Sequence, residues 1–223
     1  MIKISKRLEA ISSLVPVNAK VIDVGCDHAL LDIYLYQKKI SKKIIAADVN
    51  QNALSNAKDN IKKEKLENVI ETRLGNGLDS LNENDDVDTI IMAGMGAHTI
   101  IGILKNNYHK LKNIDNIIIQ SNTKLFFLRK EMMKLNYKID NELMVLDNKK
   151  TYTIIKYVKG KQRYNKKELY FGPILLKINS KLFKEHNKKE LAKLEMILKL
   201  LPKDKIIMRY KTKKEIALYK KNI

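Results

Sequence analysis

Two apolar runs near the start of the chain each contain an acid at or near their carboxyl end, and a glycine turn follows the first of them. Residues 20–24 include Asp23 and lead into Gly25, and residues 43–48 end in Asp48. The βαβ unit that binds adenosine-bearing ligands consists of a buried strand, a glycine turn, a helix and a second strand with an acid at its carboxyl end. This arrangement predicts a parallel α/β sheet with a ligand site at the carboxyl edge of its first strands.

The turn after the first strand discriminates between the ligands that such a unit can hold. Nicotinamide-binding units use G-x-G-x-x-G, because the backbone must contact a pyrophosphate. Here the turn is Gly25-Cys26-Asp27-His28-Ala29, with one glycine and an acid. The Asp27 carboxylate would repel a pyrophosphate, whereas S-adenosylmethionine lacks phosphates and carries a sulfonium and an ammonium that acids attract. The sequence therefore predicts S-adenosylmethionine as the cofactor and disfavours a nicotinamide-dependent dehydrogenase.

The alternation of apolar runs with helical patterns predicts the order of the fold. An amphipathic helix capped by Ser5 and stopped by Pro16 comes first. Five strands are predicted after it, at residues 20–24, 43–48, 69–74, 89–93 and 114–120. Helical patterns accompany them at residues 30–38, 51–64, 97–106 and 124–135. Two more strands, at 137–146 and 151–159, flank an Asp-Asn-Lys-Lys turn and should pair as an antiparallel hairpin. The prediction is a Rossmann-like (class I) methyltransferase fold with a mostly parallel seven-stranded sheet.

Length and composition set the domain organisation. The chain has 223 residues, of which 44% are hydrophobic and one is cysteine. This length suits one α/β domain of roughly 150 to 160 residues with an appendage, so we predict a methyltransferase domain at 1–160 and a second domain at 161–223. A single cysteine fits a reducing compartment. Since the first residues lack a signal-peptide pattern and no run approaches the roughly 20 apolar residues of a membrane span, we expect a cytoplasmic protein with no membrane contact.

The positive charge is concentrated at the end of the chain. Of a net charge of +19, residues 160–223 carry +13, from 19 Lys and Arg against 6 Asp and Glu. Apolar residues recur there at helical spacing and Pro202 divides them, which predicts a basic, coiled-coil-like helical hairpin that binds RNA. Two alternatives stay open. The helices could form an ordinary cap on the sheet, and the 39 Lys against 5 Arg could reflect codon bias.

The predicted cofactor roles follow from the ends of the first three strands. Gly25 lets the backbone approach the methionine part of the cofactor, with the Asp23 carboxylate near its ammonium. Asp48 lies 25 residues after Asp23, close to the spacing at which an acid accepts both ribose hydroxyls. The plain alternatives are a capping Asp and a solvated Asp. The predicted cofactor-binding residues are Asp23, Gly25, Cys26, Asp27, His28, Asp48, Val49, Asn50, Gly75, Asn76, Gly77, Leu78, Ala93, Gly94 and Met95.

The third and fourth strands are followed by glycine-containing turns. Residues 75–78 (Gly-Asn-Gly-Leu) suit a turn that addresses the adenine edge, with Leu78 against its face, although such a turn is often only a turn. Residues 93–97 are small apart from Met95, so a flat base can come close. The chain has no Asn/Asp-Pro-Pro-Tyr/Phe motif for an exocyclic amino nitrogen, and Cys26 lacks the setting of a nucleophile. A ring nitrogen is therefore the predicted acceptor, and no metal-site spacing is present.

Five segments together resemble the bacterial tRNA adenine-22 N1-methyltransferase family. They are Ile-Ser-Lys-Arg-Leu at 4–8, Asp-Val-Gly-Cys-Asp-His-Ala at 23–29, Gly-Asn-Gly-Leu at 75–78, Ala-Gly-Met-Gly at 93–96 and Gln-Ser-Asn at 120–122. The resemblance covers residues 4–160, and the tail matches the family's carboxyl-terminal coiled coil in kind. It implies methyl transfer from S-adenosylmethionine to N1 of adenine 22 in the D arm of tRNA. Asp48 and Asn76 stand where relatives have Glu and Asp.

The expected reaction is a direct attack of adenine N1 on the methyl group. Asp27 is the predicted catalytic carboxylate, because it lies beside the cofactor and could accept a hydrogen bond from the exocyclic amino group. The predicted RNA-binding residues are Arg7, Gln120, Asn122, Lys166, Lys167, Lys181 and Lys188. We expect tRNA as the partner, with no metal and no obligate protein partner. Two rival functions stay open, a methyltransferase acting on a protein or small molecule and a non-catalytic RNA-binding protein.

Overall fold

The computed structural model describes residues 1–222, and in this part of the chain seven strands form one sheet. The strands are β1 (Ala19–Val24), β2 (Ser41–Asp48), β3 (Ile70–Leu74), β4 (Thr89–Met95), β5 (Asn116–Ser121), β6 (Tyr137–Asp147) and β7 (Lys150–Lys159). Their order is β3-β2-β1-β4-β5-β7-β6. The first five are parallel, and β7 runs antiparallel to both β5 and β6. The predicted Rossmann-like sheet with its closing hairpin is confirmed.

The helices of the same part of the chain alternate with the strands and then follow them. They are α1 (Lys6–Ser12), α2 (Leu30–Gln37), α3 (Gln51–Lys63), α4 (Ala97–Asn106), α5 (Leu125–Lys134), α6 (Lys166–Phe171), α7 (Pro173–Ile178), α8 (Lys181–Leu200) and α9 (Ile206–Asn222). Short 3-10 helices span Gly77–Ser80 and Tyr108–Asn113. No helix within residues 1–222 is long and apolar enough to cross a membrane.

Both faces of the sheet are buried, which explains the continuous apolar character of its strands. Side chains alternate between the faces, so Ile90 and Met92 of β4 pack with α4 and α5, while Ile91 packs with α1, α2 and α3. Neighbouring strands repeat this alternation. The parallel strands consequently end together at one carboxyl edge, and the loops that follow β1, β2, β3 and β4 meet there.

The first helix begins as predicted and ends early. The Ser5 hydroxyl accepts a hydrogen bond from the Leu8 N–H at 3.3 Å and caps α1. The helix ends at Ser12, and Leu14 and Val15 bury their side chains in the turn before Pro16. The residue before a proline disfavours the helical conformation, so the chain leaves the helix ahead of it.

The carboxyl-terminal part differs from a simple two-helix hairpin, because two short helices precede it. Gly172 adopts a positive φ of 86° and Pro173 opens α7, so α6 cannot continue. Asn179, also left-handed, ends α7, and the Ser180 hydroxyl caps α8. Helices α8 and α9 then form the predicted hairpin. Its apolar stripe is buried only near the sheet: Phe183 is 3% exposed, whereas Ile206 and Ile207 at the far end are 73% and 70% exposed.

A buried ion pair attaches the short helices to the sheet domain. Arg129 of α5 and Glu142 of β6 are 1% and 0% exposed, and the Arg129 Nε donates to Glu142 Oε1 at 2.8 Å. Arg129 also donates to the carbonyls of Leu169 and Tyr170, while Glu142 accepts from the backbone N–H of Ile174. A Cβ at Gly172 would lie 2.4 Å from a Glu142 carboxylate oxygen, so this close approach requires glycine.

Candidate active site

A cavity of about 630 Å³ opens at the carboxyl edge of the sheet. The ends of β1, β2 and β4 line it, together with the start of α1 and the turn after β3. Every predicted cofactor-binding residue lines the cavity except Asn50 and Leu78. Asn50 caps α3 through its side-chain oxygen, and Leu78 is fully buried in the core. Sequence reasoning therefore found most of the wall of this cavity.

Asp48 at the end of β2 is held by two backbone hydrogen bonds. Its Oδ1 accepts from the Asn50 N–H at 2.8 Å and its Oδ2 accepts from the Asp27 N–H at 3.1 Å. The second bond ties the turn after β1 to the end of β2. Each carboxylate oxygen keeps a further lone pair, and the half-buried side chain lines the cavity, so it can accept two more donors.

Asp23 at the end of β1 is a buried acid beside a second negative charge. It is 4% exposed, and burial, followed by repulsion from Asp48, raises its pKa to about 7, while the nearby Arg7 acts in the opposite direction. Asp32 of α2 lies behind it, fully buried, with neither carboxyl oxygen hydrogen-bonded within residues 1–222. Burial and the charge of Asp23 raise the pKa of Asp32 as well. This end of the cavity favours a cationic ligand, since a positive charge would stabilise the Asp23 carboxylate.

Glycines shape the wall where side chains would block it. Gly25 has a φ of 81°, and a Cβ there would lie 2.5 Å from the Met95 Cε. Gly77 has a φ of 63°, and its Cβ would lie 2.6 Å from the Ile103 Cγ2. Burial raises the pKa of the Cys26 thiol, so this neighbour of Gly25 stays protonated and is not an activated nucleophile. The wall therefore offers acids and small residues without a covalent catalyst.

A hydrogen-bonded network fixes the turn after β4. The Gln120 Oε1 accepts from Arg7 Nη1 at 2.8 Å and from the Gly94 N–H at 3.2 Å. Its Nε2 donates to Asn122 Oδ1 at 3.0 Å, and Asn122 Nδ2 donates to the Gly94 carbonyl at 2.7 Å. Since Gln120 is 1% exposed, it positions Gly94 and Arg7 and does not face the cavity itself. The prediction that Gln120 contacts a base stays a prediction.

The family model of the tRNA (adenine(22)-N(1))-methyltransferases matches residues 21–221, nearly the whole chain. The chain belongs to this family. Family membership confirms the predicted resemblance, the fold class and the class of enzyme, an S-adenosylmethionine-dependent tRNA methyltransferase. The family assignment also agrees with the cavity, whose acids and glycine turns lie where the sequence predicts a cofactor site.

Individual relatives agree with the assignment. The tRNA (adenine(22)-N(1))-methyltransferase of Bacillus subtilis is 29% identical over 154 residues, which cover 69% of this chain and 64% of that protein. A candidate tRNA (m1A22) methyltransferase of Streptococcus pneumoniae, solved with S-adenosyl-L-methionine, superposes with a TM-score of 0.92 at 33% identity over 98% of this chain and 99% of its own. The TrmK protein of M. capricolum, solved with S-adenosyl-homocysteine, gives 0.88 at 31% identity over 98% and 96%.

The family's methyl donor, S-adenosylmethionine, fits the residues of this cavity. The volume lies within the range of roughly 300–1,000 Å³ that is usual for small-molecule sites. Asp23 suits the ammonium and Asp48 suits a pair of ribose hydroxyls. Gly25 and Gly77 keep the wall open at points where a Cβ would collide with Met95 and Ile103.

The cavity also includes residues that sequence reasoning missed. Ile103 and Thr99 of α4 line it, as do Leu30 and Leu31 at the start of α2. Their apolar spacing indicated only helix packing, and nothing in it distinguished a cavity wall from a core. Lys3 and Ile4 also line it, and the one available signal for this amino-terminal segment was the resemblance at residues 4–8.

The predicted RNA-binding residues fall into two groups. Arg7 and Asn122 lie at or next to the cofactor cavity, joined by the Gln120 network. Lys166, Lys167, Lys181 and Lys188 are exposed on α6 and α8. No group of three or more His, Cys, Asp or Glu within residues 1–222 is placed to hold a metal ion.

Substitutions at Asp48 or Gly25 should weaken the binding of S-adenosylmethionine. Asp48→Ala deletes the acceptor for the ribose hydroxyls, and Gly25→Val puts a branched side chain into Met95 at a left-handed backbone position. Calorimetric titration should give at least about tenfold weaker affinity for S-adenosylmethionine in each, or about 1.4 kcal/mol. Asp59→Ala, on the exposed face of α3, is the matched control. Wild-type affinity in folded Asp48→Ala and Gly25→Val proteins would overturn the assignment.

Proposed function

We propose that this chain transfers a methyl group from S-adenosylmethionine to N1 of adenine 22 in the D arm of tRNA. The observation that carries the proposal is a single cavity that joins Asp23 and Asp48 to the small-residue turn at Gly94 and Met95. The two acids suit the cofactor, and the turn leaves room for a flat base. When bound, S-adenosylmethionine supplies an electrophilic methyl group on a sulfonium.

The residues of this chain hold the two reactants in line. Asp48 accepts hydrogen bonds from the ribose hydroxyls of the cofactor with its free lone pairs, and Asp23 faces the cofactor's ammonium group. The adenine of the substrate lies against the turn at Gly94, which Gln120 and Asn122 hold rigid through both the N–H and the carbonyl of Gly94. Positioning of this kind contributes much of the rate enhancement of methyl transfer when the acceptor atom needs no prior deprotonation.

The acceptor nitrogen determines what acid–base chemistry is needed. N1 of neutral adenine has a lone pair in the ring plane, so its attack requires no general base. As the methyl group transfers, positive charge develops on the ring and the exocyclic amino group becomes a better donor. Asp27 lines the cavity with an exposed carboxylate and is the group we assign to accept that hydrogen bond.

The target base has to leave its stacked position to reach the cavity. N1 lies on the pairing edge of adenine, and enzymes that act on such atoms take the base out of the stack. The lysines of α6 and α8 hold the RNA backbone meanwhile.

We further propose that the enzyme acts in the cytoplasm, where a free thiol such as Cys26 persists. In this proposal it needs no metal and no obligate protein partner.

Methyl transfer from labelled S-adenosylmethionine to unmodified tRNA tests the function. The modified nucleoside and its position are identified by mass spectrometry after nuclease digestion. We expect 1-methyladenosine at position 22. Methyl transfer to a protein or small molecule in place of tRNA would overturn the substrate, and S-adenosylmethionine binding without transfer to any tRNA would overturn the activity.

Phosphate contacts by the lysines of α6 and α8 should appear in the salt dependence of tRNA binding. Neutralising four of them is expected to flatten the slope of log affinity against log salt by roughly 3, since each phosphate contact contributes about 0.7–0.9. The test variant changes to Gln the residues Lys166, Lys167, Lys181 and Lys188. The control makes the same charge change at exposed lysines of β2 and α3, near the other end of the strand order from β6, namely Lys42, Lys58, Lys62 and Lys63. Equal slopes in both variants would favour codon-driven lysine enrichment.

A further inference from the structure

A second cavity, about 570 Å³ in volume, lies between the sheet domain and the carboxyl-terminal helices. We call it the interdomain cleft. The β6–β7 hairpin and the segment after β5 form one wall, and α6, α8 and α9 form the other. It is a different cavity from the one that holds the cofactor, and of its lining residues only Asn122 and Arg129 have a structural role described above.

The α8 wall of the cleft contains a buried amide without a partner. Asn187 is 4% exposed, and its Nδ2 makes no hydrogen bond within residues 1–222. Phe183, His186 and Glu190 line the cleft from the same face of α8, at the spacing of one helix side. An unsatisfied buried N–H donor destabilises the fold, and a well-placed acceptor on a ligand would offset that cost.

The rest of the cleft has the composition of a nucleotide site. Aromatic rings line it, with Tyr170 against Phe126 at 4.6 Å and Tyr219 against Phe171 at 4.9 Å between ring centroids. Five lysines also line it, namely Lys124, Lys149, Lys150, Lys189 and Lys193, against the acids Glu190 and Glu215. Aromatic faces with surrounding lysines bind unstacked bases and their phosphates.

The interdomain cleft adjoins the place where methyl transfer occurs. Asn122 lines the cleft, and its Nδ2 donates at 2.7 Å to the carbonyl of Gly94, which lines the cofactor cavity. Arg7 lines the cofactor cavity, and its guanidinium lies 5.5 Å from the ring centroid of Tyr152, which lines the cleft. The two cavities are therefore joined by direct contacts between residues of their walls.

We infer that the interdomain cleft binds a second nucleotide of the RNA substrate, a near neighbour of the target adenine, with Asn187 Nδ2 donating to an acceptor on its base. This inference rests on the proposed function, because it takes RNA as the substrate. The tyrosines supply faces for stacking, and the lysines hold the flanking phosphates. Binding of the second base would fix the register of the strand, so that the target adenine enters the cofactor cavity.

Asn187→Leu separates a recognition role from a structural one. Leucine has a similar volume and removes the unpaired amide, so thermal stability should be unchanged or higher. The KM for tRNA should rise at least about tenfold, while kcat at saturating tRNA and the affinity for S-adenosylmethionine stay near wild type. The control is Ala192→Leu, which puts the same side chain on an exposed position of α8 outside the cleft. An unchanged KM in stable Asn187→Leu protein would overturn the inference.

Ultraviolet crosslinking of the wild-type protein to tRNA gives an independent result. We expect crosslinked peptides that contain Tyr170 or Tyr219, joined to a nucleotide close to position 22. Crosslinks confined to peptides outside the cleft would contradict the inference. If wild-type protein formed no 1-methyladenosine, the proposed function would fail; normal methylation with no change in Asn187→Leu would refute the role of the cleft alone.

Discussion

Glu142→Gln is expected to lower the free energy of unfolding by about 3–5 kcal/mol, the usual cost of removing one partner of a buried ion pair. The Glu142 carboxylate is fully buried and accepts from Arg129 Nε at 2.8 Å, from the Ile174 N–H at 3.0 Å and from the Leu175 N–H at 3.4 Å. Glutamine removes the negative charge and replaces one acceptor oxygen with a donor. Arg129 would then be left buried and unpaired.

Glu131→Gln is the matched control. Glu131 is also a buried glutamate, 5% exposed, but its partners Lys105 and Lys134 are about half exposed and can remain hydrated. An ion pair whose cation stays hydrated resembles a surface pair, which contributes about 0–1 kcal/mol. Urea unfolding followed by circular dichroism compares the two variants. Equal losses of stability would contradict the special role assigned to the Arg129–Glu142 pair.

The same ion pair bears on the boundary near residue 160. A methyltransferase domain that ends at residue 160 can fold alone only if the helices that follow cover no apolar surface of the sheet domain. In the structure Tyr164 and Leu169 belong to the main core, and the carbonyl of Leu169 accepts from Arg129. Cutting the chain at 160 would expose that core and leave Arg129 without its carbonyl partners. The sheet ends next to residue 160, but the packing of the sheet domain continues into the helices that follow. Point substitutions therefore test the carboxyl-terminal helices more cleanly than truncation does.

Local patterns were sufficient to predict the sheet and most of the cofactor cavity. A strand buried on both faces has a continuous apolar sequence, and its carboxyl end is marked by Asp23, Asp48 or a glycine. Parallel strands bring those ends to one edge, so residues far apart in sequence meet without any knowledge of side-chain contacts. This is why Asp23, Asp48 and Gly94 could be placed at one site from the sequence alone.

Contacts between distant segments could not be predicted in the same way. No sequence pattern pairs Arg129 with Glu142, and an isolated Arg in a helix indicates a solvated face. Gln120 ends an apolar strand, which suggested a base contact, but its side chain is enclosed by Arg7 and the turn at Gly94. The interdomain cleft depends on how α8 and α9 pack against the β6–β7 hairpin, which helical periodicity does not specify.

Asp27→Asn is expected to slow methyl transfer by a factor of about 100 or more, the usual effect of losing one preorganised electrostatic group. The variant leaves the turn intact, because Asp27 has a φ of 51° and asparagine tolerates that left-handed conformation. The Asp27 N–H can still donate to Asp48. Only the negative charge that would meet the exocyclic amino group is lost.

Single-turnover assays with saturating tRNA and S-adenosylmethionine measure this step directly. Binding of both should change little in Asp27→Asn, since neither the ribose acceptor nor the lysines of α6 and α8 are altered. Asp79→Asn is the control, an exposed acid on the 3-10 helix Gly77–Ser80 that does not line the cavity. It should transfer methyl groups at the wild-type rate. A wild-type rate for Asp27→Asn would mean that the developing charge on the base is stabilised by the fixed dipoles around Gly94, and that Asp27 only shapes the turn.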